Sequence, residues 1–149
     1  MRLEFAVKGH PPKKHGEKSM WSRKDEAPFV AVLREKALEA RTKSGFNDCF
    51  QSNITLELAM FVPQSQIESI GDLDNFITGV CDSLQSAYPS VFPYMHSIFQ
   101  EPSRKKIDPR YPILFEDDAK IMTITAKKIA IDNDQEMYYK VAIETVDQY

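Results

Sequence analysis

An amphipathic helical pattern over residues 71–88 constrains this chain more than any other feature. Apolar side chains recur there every three or four residues, the spacing that places one apolar stripe on a helix. They are Leu73, Phe76, Ile77, Val80, Cys81, Leu84, Ala87 and Tyr88. The pattern predicts a half-buried helix. Asp72 suits its N-cap, which leaves Asp74 in the first turn, where free N–H groups and the helix dipole favour negative charge.

A second acidic cluster, Asp117–Asp118, precedes an alternating segment that is typical of a strand, residues 120–126. Acids entering a helix and acids entering a strand can converge at one end of a sheet. Crowded carboxylates repel, so their convergence needs a cation, and such hard oxygen ligands suit Mg²⁺ or Mn²⁺. The alternative from the residues alone is that Asp72 caps the helix and Asp74 only complements its dipole.

The remaining patterns predict a small α/β (α+β) fold. Alternation predicts strands at residues 2–7, 54–62, 120–131 and 139–145, and the spacing after Pro28 predicts a helix to Lys43. A change of parity at Lys127–Lys128 predicts a bulge. At 149 residues the chain has the size of one domain. We expect a single domain, residues 1–149, with a four-stranded mixed sheet covered mainly on one face by two helices, in the order β-α-β-α-β-β.

Two segments lack periodicity. Residues 9–23 combine turn formers with cations and predict a mobile basic loop, which is either merely solvated or an arm that contacts phosphates. Residues 89–116 form a long insertion before the third strand, with several aromatics, five prolines and a basic cluster at 104–106. This insertion either packs onto the domain or presents a surface that grips nucleic acid.

Composition adds limits on function. The net charge of −3 lacks the basic surplus typical of duplex-DNA binding, but residues 1–44 hold eleven lysines and arginines against six acids. The first third of the chain can therefore present a basic face. Two cysteines, the lack of a long apolar run and an N-terminus without an apolar signal segment favour a cytoplasmic protein with free thiols and no membrane span.

The order of these motifs resembles the RusA-like Holliday junction resolvases. The resemblance is carried by Asp-Leu-Asp-Asn at 72–75, by an amphipathic helix that ends in Asp-Ser-Leu at 82–84, and by Asp-Asp-Ala-Lys-Ile at 117–121 before a strand. It implies a homodimeric, Mg²⁺-dependent endodeoxyribonuclease, with Mn²⁺ as a substitute, that nicks four-way (Holliday) DNA junctions in recombination and repair.

The same resemblance assigns roles to particular acids. It implies that Asp72, Asp74 and Asp118 are the catalytic, metal-binding residues and that Asp117 is a secondary ligand. Mg²⁺ held by such acids would activate a water and stabilise the leaving oxygen during attack on a phosphodiester. A four-way junction is two-fold symmetric, so a C₂ dimer would supply the two sites that paired cuts need.

Two features depart from the family's pattern. Thr78 stands where the family usually has a lysine, and the link over residues 89–116 is longer than usual. We expect the missing cation to come from elsewhere. Lys120 is a candidate because, in an extended strand, its side chain would return to the face of Asp118 two residues earlier. The full set of candidate DNA-binding cations is Lys13, Lys14, Lys18, Arg23, Lys105, Lys106 and Lys120.

Two other hypotheses remain open at the level of sequence. The chain could be a nucleic-acid- or protein-binding module that keeps the resolvase fold and does not cleave, which Thr78 and the acidic net charge favour. It could also be a structural domain in which the aspartates only cap a helix. The retained acids favour the enzyme, because a non-cleaving protein has no evident need for mutually repelling carboxylates.

Overall fold

A computed structural model describes residues 1–14, 16 and 19–146 of the chain. It contains four strands and two α-helices, in the predicted order. They are β1 (Arg2–Lys8), α1 (Ala27–Lys43), β2 (Ile54–Pro63), α2 (Leu73–Leu84), β3 (Ile121–Ile131) and β4 (Tyr138–Thr145). Among the candidate cations, Lys18 lies outside the described residues.

The four strands form one mixed sheet in the order β1-β4-β2-β3. β4 pairs antiparallel with both β1 and β2, whereas β2 and β3 are parallel. The predicted four-stranded mixed sheet with two main helices is thus confirmed. β1 and β3 are the edges, and α2 is the crossover that joins the two parallel strands, as such a connection requires.

Alternation along the strands separates a buried face from an open face. On β2, the buried side chains are those at every second position: Ile54, Leu56, Leu58, Met60 and Val62. They form one core with Leu3 and Val7 of β1, with Tyr139, Val141 and Ile143 of β4, and with the apolar stripes of both helices. Because one side of the sheet carries this core, the intervening residues occupy a second face, which neither α1 nor α2 covers.

α2 ends at Leu84, four residues earlier than the apolar stripe predicts, and Arg34 of α1 shows why. The Arg34 guanidinium is fully buried and donates hydrogen bonds to the carbonyls of Ser83 and Gln85 at the end of α2. It also donates to the carbonyls of Ile107, Asp108 and Tyr111 in the insertion. Burial lowers the pKa of Arg34 to about 9, so the group stays charged at neutral pH. The last carbonyls of α2 are therefore satisfied from outside the helix.

β3 begins one residue later than predicted, because residues Asp118–Lys120 form a 3₁₀ turn. The Asp117 carboxylate accepts a hydrogen bond from the Ala119 N–H and closes this turn. The bulge is also displaced. The register between β2 and β3 shifts beside Ile54 and Thr55, and the pairing is regular through Lys127–Lys128. The parity change arises instead because β3 carries apolar side chains on both of its faces.

The two segments without periodicity pack against the domain. In the basic loop, Pro11, Pro12, Met20 and Trp21 are buried. In the insertion, short 3₁₀ helices span Pro89–Tyr94, Ser97–Gln100 and Pro102–Ile107, and Phe99, Ile107, Ile113, Leu114 and Phe115 join the core. The apolar side chains of the insertion therefore pack onto the domain, which is the first of the two alternatives for this segment. The mobility of residues 9–23 stays a prediction.

Candidate functional site

The direction of pairing between β2 and β3 decides where Asp118 lies. Ile54 pairs with Ile121 at one edge of this parallel pair, and Pro63 pairs with Ile131 at the other. α2 connects the end of β2 to the start of β3, so it runs back along the sheet. Asp118, just before β3, therefore meets the C-terminal half of α2.

Four acidic side chains line one open cavity of about 250 Å³, which we call the acid pocket. They are Asp82 from α2 and three successive residues before β3, Glu116, Asp117 and Asp118. Trp21, Gln85, Ser86, Ala87, Tyr88 and Pro89 complete its walls. Asp82 and Asp118 also line an adjoining cavity of about 180 Å³, together with Thr78 and Cys81. These two acids thus stand between two cavities that open to solvent.

Asp118 is electrostatically perturbed by its neighbours. Partial burial, a hydrogen bond with Asp117 and the charges of Asp117 and Asp82 raise the pKa of Asp118, in that order of effect. Cys81 lies on the same side of α2, and burial together with the charges of Asp82 and Asp118 raises the pKa of its thiol to about 12. The thiol is therefore neutral at physiological pH and is a poor metal ligand or nucleophile.

Lys14 supplies a cation to this cluster. Its ammonium Nζ lies 3.2 Å from Asp82 Oδ2, and its side chain is more than half exposed. The backbone that carries it is held against α2, since the Lys14 N–H donates to the Asn75 carbonyl at 3.2 Å. Gly79 permits this approach, because a Cβ there would lie 2.1 Å from the Pro12 carbonyl oxygen. The basic loop therefore brings a lysine to Asp82, one of the four acids that line the acid pocket.

Asp72 and Asp74 lie at the other end of α2. Asp72 occupies the predicted N-cap position, but its side chain makes no capping hydrogen bond, and both carboxylates are exposed. Eight residues separate Asp74 from Asp82, a rise of about 12 Å along a helix. Thr78 lies between them on the same face, and its hydroxyl donates to the Asp74 carbonyl at 2.8 Å. One polar face of α2 thus carries Asp74, Thr78 and Asp82. Asp118 lies near the C-terminal end of this face.

The strand argument that links Lys120 to Asp118 does not apply to the observed backbone. Residues 118–120 are a 3₁₀ turn, in which the two-residue spacing no longer returns a side chain to one face. The Lys120 ammonium donates to the Gln51 carbonyl at 2.7 Å. This correction leaves Lys14 as the candidate cation whose ion pair reaches an acid of the pocket.

The other candidate cations lie elsewhere. The Lys13 ammonium lies 5.8 Å from the centroid of the Phe76 ring, toward the start of α2. Arg23 makes two hydrogen bonds to the Asp25 carboxylate, each of 2.9 Å. Lys105 and Lys106 are exposed on a 3₁₀ turn of the insertion, where Lys106 lines a cavity beside α1. None of these four lines the acid pocket.

The sequence argument missed Asp82 and Glu116. The available sequence signal for Asp82 was its place in the Asp-Ser-Leu motif. Its spacing of four residues from Thr78 also places the two on one helix face. Its relation to Asp118 depends on β2 and β3 being parallel, which places the start of β3 beside the end of α2. Glu116 directly precedes the recognised acidic pair, so its adjacency was the available signal.

The acid pocket fits a hard divalent cation only with help from water or substrate. Among residues 1–14, 16 and 19–146, no three histidine, cysteine, aspartate or glutamate side chains are grouped to hold one metal ion. Mg²⁺ commonly uses one or two carboxylates, several waters and substrate phosphate oxygens. Asp118 with Asp82 or Asp117 can supply such a pair. Partial burial raises the pKa of Asp118 most, and the nearby charges of Asp117 and Asp82, which a cation would offset, raise it further.

Within the described part of the chain, no helix is long and apolar enough to cross a bilayer. Comparison with models of protein families found no matching family. Comparison with curated proteins found no match either.

Proposed function

We propose that this chain is a metal-dependent, structure-specific endodeoxyribonuclease of the RusA-like type, acting on four-way DNA junctions. The observation that carries the proposal is the meeting of Asp82, Asp117 and Asp118 at an open pocket beside the Lys14 ammonium. Phosphodiester hydrolysis needs a proton acceptor for water and positive charge near the phosphate. Carboxylates next to an exposed ammonium supply both kinds of group.

The residues of the pocket divide these tasks. Asp118, whose pKa is raised, is the better placed carboxylate to accept a proton from an attacking water. Lys14 would neutralise a phosphate oxygen, since its side chain is exposed and reaches Asp82. A divalent cation bound by Asp118 with Asp82 or Asp117 would lower the pKa of water and offset charge on the phosphate.

Asp72 and Asp74 extend the proposed site along α2. Both are exposed and belong to the motif that resembles the resolvases. Their role as catalytic, metal-binding acids stays a prediction, because the described residues do not group them with Asp118. We also propose a homodimer, since paired cuts in a two-fold symmetric junction need two sites. Location in the cytoplasm belongs to the same proposal.

A cleavage assay tests the proposal directly. A labelled four-way junction is incubated with the full chain in Mg²⁺, in Mn²⁺ and in EDTA. We expect metal-dependent paired nicks, which Asp118→Asn and Asp82→Asn each reduce by ~10²-fold or more. Asp134→Asn is the matched control, because Asp134 is an exposed acid in the turn before β4. Absence of nicking by the unmodified protein in both metals would reject the enzyme.

The second candidate is a module that binds nucleic acid or protein without cleaving. The observation that favours it is the lack of a three-ligand metal group among the described residues, together with Thr78 in place of a lysine. Under this hypothesis the junction is bound and left intact, and Asp118→Asn strengthens binding by removing a charge that repels phosphate. Under the enzyme hypothesis, Asp118→Asn instead retains junction binding and loses cleavage.

A further inference from the structure

The open face of the sheet carries an ordered pattern of charge. On this face, Ala59 of β2 pairs with Lys127 of β3 on one side and with Lys140 of β4 on the other. Lys8 lies one strand further, on β1, beside Tyr138. Since neighbouring strands are about 5 Å apart, these three lysines cross the sheet over about 15 Å. We call them the lysine track.

The lysine track has no internal neutralisation. Among the described residues, none of its three lysines makes an ion pair, and all three side chains are exposed. Three acids of the open face gather around Arg2 instead. Glu4, Glu57 and Glu144 each bind the Arg2 guanidinium, at 3.3 to 3.4 Å. The open face is thus divided into an acidic end, where three carboxylates surround one guanidinium, and a basic band of three lysines.

An aromatic step adjoins the lysine track. The rings of Phe61 and Tyr138 are stacked, with centroids 4.5 Å apart and an interplanar angle of 5°. Ile129 is the partner of Phe61 on β3, so the step continues to the sheet edge as apolar surface. The Lys140 ammonium lies 5.6 Å from the centroid of Phe61 and joins the cation band to the rings.

A shallow cavity of about 240 Å³ lies between these features. Ala59 lines it together with Lys127, Lys140, Phe61 and Ile129, and the Arg2, Glu4 and Glu57 side chains line its other end. Small residues in the floor leave room above the sheet, while cations and a ring border the same space. The side of the cavity that Lys127, Lys140 and Phe61 border suits a ligand that is planar on one side and anionic on the other.

We infer that the open face binds a segment of single-stranded nucleic acid, with phosphates on the lysine track and a base on the Phe61–Tyr138 step. A single strand exposes base faces and phosphates together, and aromatic platforms beside cations are how such strands are held. A duplex hides its base faces, so only the lysines would serve it. The open face lies on the opposite side of the sheet from α1 and α2, so this surface is additional to the acid pocket.

A binding experiment on the full chain tests the inference. The probe is a fluorescently labelled oligothymidylate of about 16 nucleotides, measured by anisotropy in EDTA so that no cleavage occurs. Binding is titrated at several salt concentrations. Lys127→Ala/Lys140→Ala is the test variant. Lys24→Ala/Lys43→Ala is its control, since it makes the same change in net charge at two exposed positions, one just before α1 and one at its last residue.

We expect the test variant to weaken binding about tenfold and to reduce the slope of log Kd against log salt by about 1.4, the value for two lost phosphate contacts to a single strand. The control variant should bind like the unmodified chain. Phe61→Ala should also weaken binding about tenfold, and Phe61→Tyr should restore it, because a tyrosine ring stacks as well. Circular dichroism confirms that each variant is folded.

Three results would overturn the inference. The first is an equal loss in the test and control variants, which would indicate only net charge. The second is tighter binding of a duplex of the same length at the same salt. The third is a dimer that the test variant converts to monomer without a change in oligonucleotide affinity, which would assign the open face to a second copy of the chain. None of these outcomes depends on cleavage at the acid pocket.

Discussion

Lys14 Nζ lies 3.2 Å from Asp82 Oδ2, and this contact joins the loop before α1 to the last turns of α2. As an exposed ion pair it contributes little to stability. Its importance is positional, because Asp82 also lines the acid pocket with Asp118. The Lys14 ammonium therefore lies close to the acid pocket, to which the segment before β3, distant in the chain, contributes Asp118.

Lys14→Ala should separate catalysis from binding. If Lys14 neutralises the reacting phosphate, we expect its loss to slow junction cleavage by ~10²-fold, with a much smaller change in junction affinity. Single-turnover cleavage and anisotropy measure the two effects. Lys120→Ala is the matched control, since the Lys120 ammonium is held by the Gln51 carbonyl. A larger effect of Lys120→Ala than of Lys14→Ala would contradict this assignment.

Asp118→Asn should change how stability depends on pH. Because the folded protein raises the pKa of Asp118 above its ordinary value of 3.8, the folded state holds this proton more tightly than the unfolded chain. The unmodified protein should lose stability as pH rises from about that value through the folded pKa, whereas Asp118→Asn lacks this loss.

Urea unfolding between pH 4 and pH 7 measures this difference. Mg²⁺ at pH 7 should restore stability to the unmodified protein and leave Asp118→Asn unchanged, because a ligand of the folded state alone stabilises it. Asp134→Asn serves as the control and should follow the unmodified chain. Parallel pH profiles for Asp118→Asn and the unmodified protein would show that Asp118 is not perturbed.

Arg34→Met should destabilise the domain strongly. The buried guanidinium donates to five carbonyls, in the end of α2 and in the insertion, and methionine would remove all of these bonds. We expect the free energy of unfolding to fall by about 3 kcal/mol or more. Arg34→Lys should recover part of this, since lysine keeps the charge but not the planar set of donors. Lys36→Met, on the exposed side of α1, should change it by less than about 0.5 kcal/mol.

Tyr139→Phe should stabilise the protein. The Tyr139 side chain is 1 % exposed, and its hydroxyl has no hydrogen-bond partner among the described residues. Removing an unpaired buried hydroxyl avoids its desolvation cost, so we expect a gain of about 1 kcal/mol. Thermal unfolding measures the gain, with Tyr138→Phe on the open face as the near-neutral control. A lower melting temperature for Tyr139→Phe would mean that the hydroxyl is paired.

Gly79→Ala should detach the basic loop from α2. A Cβ at Gly79 would lie 2.1 Å from the Pro12 carbonyl oxygen, and backbone must move to admit it. We expect the free energy of unfolding to fall by about 1–3 kcal/mol, although alanine favours helices more than glycine does. Limited proteolysis should then cut the loop faster. If Gly79→Ala is instead as stable as the unmodified chain, the loop does not dock here.

Local patterns were enough to predict the elements of this fold. The alternation of β2 and the stripe of α2 report which side chains face a core, because burial repeats every two residues in a strand and every three or four in a helix. The N-cap position of Asp72 follows from the same local rules, and the structure places it there. The N-cap bond itself is not made, since capping depends on the side-chain conformation as well as on position.

Which acids meet was decided by tertiary structure. Asp118 approaches Asp82 rather than Asp74 because β2 and β3 are parallel, and a helix that joins parallel strands must run back along them. The path of Arg34 to the end of α2, and of Lys14 to Asp82, likewise joins residues far apart in the chain. Periodicity reports only which face of an element is buried. Strand direction and the reach of long side chains determine which residues from distant elements come into contact. Both depend on how the elements pack together, and no local sequence pattern reports that packing.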